Sequence, residues 1–259
     1  MRNLKMWRTK FNKDNKRSSK SIVYGRNPVL ELLKADKRSV NKIMLSKTAR
    51  GTTISEIINL AKQKGIAIHN ILPKRLDNFS KDSQGIVAEV SSVKYVDLSD
   101  LIEKAKGSPR PLLVVLDGIE DPHNLGAIIR NCVAFGANGV IIPKWRAVGI
   151  NETVAKSSAG SVEHISVSRV ANINQTLNLL KKKGFWIIAG VRSDKYMLDK
   201  INLRFPIAVI VGSEGLGIHN LTRKNCDFLI SIPQKSTISS LNVSCASAII
   251  LYEISKGFI

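Results

Sequence analysis

The chain has 259 residues, of which 44% are hydrophobic and 23% are charged, so it can form two ordinary domains and is too apolar for a disordered protein. Its 40 Lys and Arg against 20 Asp and Glu give a formal net charge of +20, which favours a polyanionic partner such as nucleic acid. The alternative is a surface that is basic only because the whole proteome is rich in lysine. No apolar run approaches the length of a membrane span, which argues against a membrane protein.

Cysteine and histidine usage argues against a disulfide framework and against a metal site. The three cysteines, Cys132, Cys226 and Cys245, are odd in number and have no C-x-x-C spacing, and the four histidines form no ligand cluster. We therefore expect a reducing compartment, the cytoplasm, and no bound metal. Aromatic residues make up only 5%, so phosphate contacts and shape should carry most of the affinity for any bound RNA.

The N-terminal third divides into a tail and a small domain. Residues 1–20 carry eight Lys and Arg and one acid, Asp14, without a clear apolar face, which predicts a basic RNA-binding tail and leaves a transit peptide as the alternative. In residues 21–95 short helices and strands alternate, which predicts a small separate α/β domain. The predicted elements are a helix in "YGRNPVLELLKA", a strand "VNKIMLS", a helix "TISEIINLAKQKG", a strand "IAIHNI", a helical turn "PKRLDNFS" and a strand "GIVAEVSSV".

The rest of the chain predicts a linker and a larger α/β domain. Residues 96–111 read as a helix that leads into a linker rich in Pro and Gly, and residues 112–259 alternate apolar strands with amphipathic helices. The predicted strands are "LLVVLD", "GVIIP", "HISVSRV", "FWIIAGV", "IAVIVG" and "FLISIP", and the last helix spans about 242 to 255. This alternation is typical of a mainly parallel sheet covered on both faces, in which ligands bind beyond the carboxyl ends of the strands. Three unusual loops fall at such ends.

The first unusual loop is "DGIEDPHNLGAIIRN". Pro122 and Gly126 shape a tight turn, and Asn124 is placed to cap the helix that follows. Arg130 lies six positions after Asn124, and its long side chain can reach the mouth of the loop. Each residue also has an ordinary explanation, Asn124 as a helix cap and Arg130 as a solvated or ion-paired arginine.

The second unusual loop is "IVGSEGLGI", residues 210–218. Its spacing is G-x-x-G-x-G, whereas a dinucleotide-binding turn has G-x-G-x-x-G. Glycine lets a ligand approach the backbone closely, but the carboxylate of Glu214 would repel a pyrophosphate. A nucleoside with hydroxyls to donate and a positive centre nearby suits this loop better, and a plain strand-to-helix turn is the alternative.

The third unusual segment is "ISIPQKSTISSLNVSCASAIILYE", residues 230–253. A strand ends at Pro233, and a helix begins near Ser240 to Asn242, where exposed backbone amides favour a carboxylate or phosphate. No histidine is placed to act as a base, which argues against a catalytic serine. The alternative is a buried C-terminal helix with an ordinary serine cap.

Taken together and in this order, "DPHNLGAIIRN", "VGSEGLG" and "IP…SLNVS…A…LYE" resemble the three motifs of the SpoU (TrmH-like) RNA 2′-O-ribose methyltransferases. The resemblance covers about residues 112 to 253. "YGRNPVLELLKA" also resembles part of the substrate-binding domain, of ribosomal-protein-L30e type, found in members that act on large-subunit ribosomal RNA. Three ordered motifs and an accessory domain make this signal specific.

The resemblance implies an α/β catalytic domain with a C-terminal trefoil knot, in a homodimer with knot-region helices at the interface. It implies S-adenosylmethionine as the methyl donor and an RNA ribose 2′-hydroxyl as the acceptor, most closely a guanosine of 23S ribosomal RNA. The residues implied to bind the donor are Gly190, Gly212, Ile232, Ser240 and Leu241. The residues implied to be catalytic are Asn124, Arg130, Glu214 and Asn242, and the family also associates the position of Ser240 with catalysis.

Two positions depart from the family pattern. Gln234 and Ser236 stand where the family commonly has methionine and glycine, so we expect altered donor contacts with activity retained. The family role of Arg130 is to remove the proton of the 2′-hydroxyl. Because a guanidinium stays charged in proteins, we expect Arg130 chiefly to hold the neighbouring phosphate and to stabilise the developing alkoxide.

The sequence leaves three alternatives. The same chemistry can act on transfer RNA, for example on a D-loop guanosine. A non-catalytic RNA-binding or ribosome-assembly factor is a second alternative, and the presence of Asn124, Arg130, Glu214 and Asn242 weighs against it. A nicotinamide-dependent oxidoreductase is disfavoured by the glycine spacing.

Overall fold

The structure, a computed structural model, describes residues 21–191, 204–234 and 241–256. The strands are β1 (Ser21–Tyr24), β2 (Val40–Ser46), β3 (Ile68–Ile71), β4 (Ile86–Val90), β5 (Leu112–Asp117), β6 (Gly139–Pro143), β7 (Ser166–Val170), β8 (Trp186–Gly190), β9 (Ile207–Gly212) and β10 (Phe228–Ile230). The helices are α1 (Arg26–Ala35), α2 (Thr52–Gln63), α3 (Pro73–Asp77), α4 (Leu98–Lys106), α5 (Pro122–Ala134), α6 (Glu152–Ser157), α7 (Ile173–Lys182), α8 (Asn220–Lys224) and α9 (Val243–Ser255). A 3-10 turn spans Ser161–Glu163.

The first sheet confirms the predicted small α/β fold. Its strand order is β1-β4-β2-β3, in which β4 is antiparallel to both of its neighbours and β3 is parallel to β2. Helices α1 and α2 pack on it through fully buried residues such as Leu33 and Ile57. The sequence analysis missed β1, because four residues next to a polar tail give too short a pattern. Their pairing with β4, from Ser21 with Val90 onward, supplies the strand.

The second sheet confirms the predicted parallel architecture. Its order is β10-β8-β9-β5-β6-β7, and every recorded pairing is parallel. Every residue of β5 and β9 is buried, as expected for strands covered on both faces. The chain proceeds from β5 to β6 and β7 on one side, whereas β8, β9 and β10 lie on the other. The order therefore reverses between β5 and β9, and ligands of such sheets bind at this reversal.

Helix α4 lies within the segment 96–111 that was predicted to end in a linker. Its residues Leu101, Ile102 and Ala105 are buried, and they belong to one apolar cluster with Leu113 and Val115 of β5. The segment therefore contributes a helix to the core of the larger sheet.

The two sheets are joined by a buried ion pair. Arg38 Nη1 lies 2.8 Å from Glu163 Oε1, and the two side chains are only 7% and 4% exposed. Arg38 also donates hydrogen bonds to the carbonyl oxygen of Ser91. Nearby, His164 Nε2 lies 2.7 Å from Glu31 Oε2. These contacts fix the first α/β unit against the larger one, since leaving either buried charge of the Arg38–Glu163 pair unpaired is costly.

Several predictions concern residues that the structure does not describe. The basic tail, residues 1–20, lies outside the described residues, as do Ser236 and Ser240. The knot depends on the path through residues 192–203 and 235–240, which also lie outside the described residues, so it stays a prediction.

The three cysteines are free. No helix in the described ranges is both long enough and apolar enough to cross a membrane.

Candidate functional site

The three unusual loops meet at one side chain. Asn242 Nδ2 donates a hydrogen bond to Asn124 Oδ1 over 3.1 Å, and it donates a second one to Glu214 Oε1. These residues are 118 and 28 positions from Asn242 along the chain. One amide group thus connects the loop after β5, the loop after β9 and the start of α9.

Asn124 is available to this site because another residue caps its helix. Asp121 is the N-cap of α5, and its carboxylate accepts hydrogen bonds from the backbone amides of His123 and Asn124 over 3.0 and 3.4 Å. The expectation that Asn124 caps the helix was therefore wrong. Helix α5 begins at Pro122, which suits a first helical position. Asn124 is therefore the third residue of the helix, and it is buried.

Asn242 has a second role, since its side-chain oxygen caps α9. Asn242 Oδ1 accepts from the backbone amides of Ser244 and Cys245 over 2.9 and 3.4 Å, and from Ser244 Oγ over 2.6 Å. The predicted carboxylate or phosphate site at this helix start is thus taken by the protein's own side chain. Capping fixes the orientation of the amide, and therefore the direction in which Nδ2 points.

The glycine-rich loop folds back on the end of β9. Ser213 and Gly217 exchange two backbone hydrogen bonds of 3.0 and 3.1 Å, and Gly215 and Gly217 have φ of +89° and +65°. A Cβ atom at Gly212 would overlap the backbone of Gly217. This tight turn leaves Glu214 at its tip, where it reaches Asn242.

Asp117 anchors the far end of the same loop and was missed by the sequence analysis. Its carboxylate is 6% exposed; it accepts from the backbone amide of His219 over 3.1 Å, and its other oxygen lies 3.0 Å from His219 Nδ1. Asp117 also pairs with Gly212 across the sheet. The available signal was a carboxylate that closes the otherwise wholly apolar strand "LLVVLD".

A cavity of about 810 Å³ opens beside the three loops. Four of the residues predicted to bind the donor line it, namely Gly190, Gly212, Ile232 and Leu241, together with Glu214 and Asn242. The volume lies within the usual range for small-molecule sites. The wall contains backbone of the glycine-rich loop and apolar side chains. A Cβ at Gly190 would lie 2.7 Å from Ile250 Cδ1, so a side chain there would have to displace the end of Ile250.

The cavity wall also contains the polar side chains of Gln234 and Arg223. Gln234, one of the departures from the family pattern, lines the cavity, so its side chain is placed to affect donor affinity. Arg223 also lines it and was not singled out from the sequence. Arg223 is the cation and Glu214 the anion among the described residues of the wall.

Arg130 lies apart from this cavity. It is exposed on α5, and no hydrogen bond or ion pair involves it within the part of the chain that the structure describes. Helix α5 is nevertheless held against α9, since Asn131 Nδ2 donates to the carbonyl oxygen of Ser244 over 2.9 Å and to Ser247 Oγ over 3.2 Å. The charge of Arg130 thus remains available for a ligand outside the cavity.

The buried thiol of Cys132 and the partly buried thiol of Cys226 are poor nucleophiles. Burial raises the pKa of Cys226 to about 11, and it raises the pKa of Cys132 well above its ordinary value. Both groups therefore stay protonated near neutral pH, whereas the thiolate is the reactive form.

Among the described residues, no group of three His, Cys, Asp or Glu side chains is placed to hold a metal ion.

Comparison with known families accounts for most of the chain. Residues 111–252 match the sequence model of the SpoU rRNA Methylase family. Residues 22–96 match the model described as RNA 2′-O ribose methyltransferase substrate binding. The two matches correspond to the larger and the smaller sheet, respectively.

Full-length relatives give the same result. The putative TrmH family tRNA/rRNA methyltransferase YacO of Bacillus subtilis is 40% identical over 234 residues, which cover 90% of this chain and 94% of the relative. The 23S rRNA (guanosine-2′-O-)-methyltransferase RlmB of Coxiella burnetii is 36% identical over 236 residues, with 90% and 94% covered. The crystal structure of the SpoU methyltransferase AviRb from Streptomyces viridochromogenes in complex with the cofactor AdoMet shares the fold, with a TM-score of 0.77 at 21% identity over 95% of this chain and 94% of that one.

Proposed function

Because the chain belongs to the SpoU rRNA methylase family, we propose that it transfers a methyl group from S-adenosylmethionine to a ribose 2′-hydroxyl of RNA, on a guanosine of 23S ribosomal RNA. The observation that carries the proposal is the meeting of Asn124, Glu214 and Asn242 beside one cavity. The activity named for the Coxiella relative supports ribosomal RNA as the substrate. The name of the Bacillus relative covers both transfer and ribosomal RNA, so transfer RNA is the second candidate.

The residues of the cavity fit a nucleoside-containing donor. Gly212 and Gly190 leave room that a side chain would fill, and Ile232 and Leu241 supply apolar surface. Glu214 offers carboxylate oxygens to ribose hydroxyls, and its charge suits a positive sulfonium centre. When bound, S-adenosylmethionine supplies the electrophilic methyl carbon, so the protein has to align the attacking oxygen and to exclude water.

The division of labour among the polar residues follows from their contacts. Asn242 holds the carboxamide of Asn124 and the carboxylate of Glu214 in a fixed relation, which pre-orders the rim of the cavity before RNA arrives. Arg130, which has no ion-pair partner among the described residues, places a positive charge on the neighbouring helix, where it can hold a phosphate and stabilise the developing alkoxide. Residues 1–20 and 21–95 bind the RNA, and residues 112–259 carry out the transfer.

We also propose a homodimer formed through α9. Ile249 and Tyr252 are 37% and 46% exposed, and because they are three positions apart they lie on the same face of this helix. Tyr252 packs edge-on against Phe135 at a ring-centroid distance of 6.0 Å, so the apolar surface extends onto the end of α5. Sedimentation of the purified protein tests this proposal, and a monomer at micromolar concentration would contradict it.

Labelled S-adenosylmethionine and separate pools of ribosomal and transfer RNA test the proposed function. The label is expected in large-subunit ribosomal RNA, with the modified ribose mapped by mass spectrometry. A label confined to transfer RNA would select the second candidate. Calorimetry that shows RNA binding without any binding of S-adenosylmethionine would instead identify a non-catalytic RNA-binding factor.

An Arg130→Lys variant is expected to turn over at least about tenfold more slowly. Lysine keeps the charge but loses the planar fork, and a charge-assisted hydrogen bond contributes about 1.5–3 kcal/mol. Because Arg130 does not line the cavity, the calorimetric affinity for S-adenosylmethionine should stay unchanged, and this measurement is the control. Near-complete turnover in the variant would show that the guanidinium fork is not needed.

RNA affinity is expected to fall steeply with salt, and removal of residues 1–20 is expected to reduce that slope. The tail carries eight of the 40 basic residues, and each lost phosphate contact lowers the slope of log affinity against log salt by about 0.7–0.9. Filter binding across a salt series measures this slope. A full-length variant with the eight Lys and Arg replaced by Gln separates charge from chain length. A slope that is the same in all three proteins would remove this role of the tail.

A further inference from the structure

The loop between β6 and α6 exposes an indole between two cations. Trp145 is 72% exposed, whereas Trp186, the other tryptophan in the described residues, is 44% exposed and packs against Phe228 at a centroid distance of 5.4 Å. Lys144 and Arg146, the immediate neighbours of Trp145, are also exposed, and residues 144–150 contain no acid. Among the described residues Trp145 is the most exposed aromatic side chain, so its ring is accessible to a ligand that stacks on it.

Hydrogen bonds fix both ends of the loop that carries Trp145. The amide of Lys144 donates to the carbonyl oxygen of Val170 over 2.8 Å, and the carbonyl oxygen of Lys144 accepts from Arg169 Nη2 over 2.9 Å. At the other end, the amide of Ile150 donates to Tyr95 Oη over 2.8 Å. Arg146 has φ of +53°, which is uncommon for a residue other than glycine. Pinned ends of this kind reduce the entropy lost when a ligand binds.

The loop opens on the same edge of the sheet as the donor cavity. Strand β6 pairs in parallel with β5, so their following loops leave the sheet in the same direction. A direct contact joins those two loops, since the amide of Val148 donates to the carbonyl oxygen of Ile119 over 2.9 Å. Ile119 lies in the loop that leads to Asn124. The loop that carries the exposed indole therefore contacts the loop that leads to Asn124, on the edge of the sheet where the cavity opens.

We propose that Trp145 is a stacking platform for an unpaired base of the RNA substrate, with Lys144 and Arg146 beside it to contact phosphates. The inference rests on the proposed function, which makes RNA the occupant, and it adds a base-recognition position outside the donor cavity. Charge complementarity favours this occupant, since an aromatic face between two cations in a protein of net charge +20 matches a base between phosphates. An apolar protein partner would leave both flanking charges desolvated.

Substitutions at Trp145 with two polyanions test the proposal. Trp145→Ala and Trp145→Leu are expected to raise the Kd for a short unpaired oligoribonucleotide about tenfold, within the range measured for one stacked base. Trp145→Phe should stay within about threefold of the wild type, because it keeps an aromatic face. Inorganic polyphosphate carries the charges without the bases, so all three variants should bind it as the wild type does. Trp186→Leu is the matched control, because Trp186 lies on β8, on the other side of β5 from the Trp145 loop, and it should change neither affinity.

Fluorescence gives a readout that does not depend on activity. In a full-length Trp7→Phe, Trp186→Phe variant, Trp145 is the remaining tryptophan, and the oligoribonucleotide is expected to quench it while polyphosphate is not. Wild-type oligonucleotide affinity in Trp145→Leu, an equal loss for polyphosphate, or a changed oligomeric state with unchanged RNA affinity would each overturn the proposal.

The two proposals can fail separately. Quenching by RNA in a protein that neither binds S-adenosylmethionine nor methylates RNA would leave the stacking position standing and would refute the proposed function. Methylation and RNA affinity that are both unchanged in Trp145→Leu would refute the stacking position and would leave the proposed function standing.

Discussion

A Gly212→Ala variant is expected to lose methyl transfer, to bind S-adenosylmethionine about a hundredfold more weakly and to unfold more easily by about 1–3 kcal/mol. The reason is steric, because the added Cβ would overlap the backbone of Gly217. That neighbour is main chain held by two hydrogen bonds to Ser213, so it cannot move aside as a flexible side chain can. Calorimetry with the donor and chemical denaturation measure the two effects.

Gly215→Ala is the matched control in the same turn. Gly215 has φ of +89°, and nothing lies within 4 Å of the position that its Cβ would take. The substitution therefore adds backbone strain of about 1–2 kcal/mol without steric overlap, and donor affinity should change less than tenfold. Equal losses in the two variants would show that loop strain, and not the close approach at Gly212, controls the cavity.

An Asn242→Asp variant is expected to lose at least about a hundredfold in turnover while the protein keeps its stability within about 1 kcal/mol. Aspartate caps a helix as well as asparagine does, so the hydrogen bonds from the amides of Ser244 and Cys245 are retained. The donor group is lost, however, and a second carboxylate is placed at hydrogen-bond distance from Glu214. Like charges at that distance repel, which should displace Glu214 from the rim of the cavity.

Two further substitutions separate the cap from the link between the loops. Asn242→Ser keeps a capping oxygen without an amide donor and without a new charge, so it should retain stability and lose less activity than Asn242→Asp. Asn242→Ala removes both functions, and it should also cost about 1 kcal/mol of stability. Thermal denaturation and single-turnover methylation measure the two effects. Full activity in Asn242→Asp would show that the contact with Glu214 does not serve the reaction.

The sequence by itself was sufficient for the architecture of the larger sheet. Strands β5 and β9 appear as "LLVVLD" and "IAVIVG", continuous apolar runs that a sheet covered on both faces requires. Loops after such strands share one edge, so the meeting of three distant motifs could be anticipated. The ordered motifs predicted that Gly212, Ile232 and Leu241 bind the donor, and all three residues line the cavity.

The tertiary structure alone decided which atoms do which task at that edge. "EDPHN" offers two possible caps, and the path of the chain selects Asp121 and leaves Asn124 for the site. The hydrogen bond between Asp117 and His219 joins residues that are 102 positions apart. The exposure of Trp145 depends on how the neighbouring elements pack around its loop. Periodicity and motif spacing record local preferences along the chain, whereas hydrogen-bond partners and exposure depend on distances between remote segments, which only the folded chain defines.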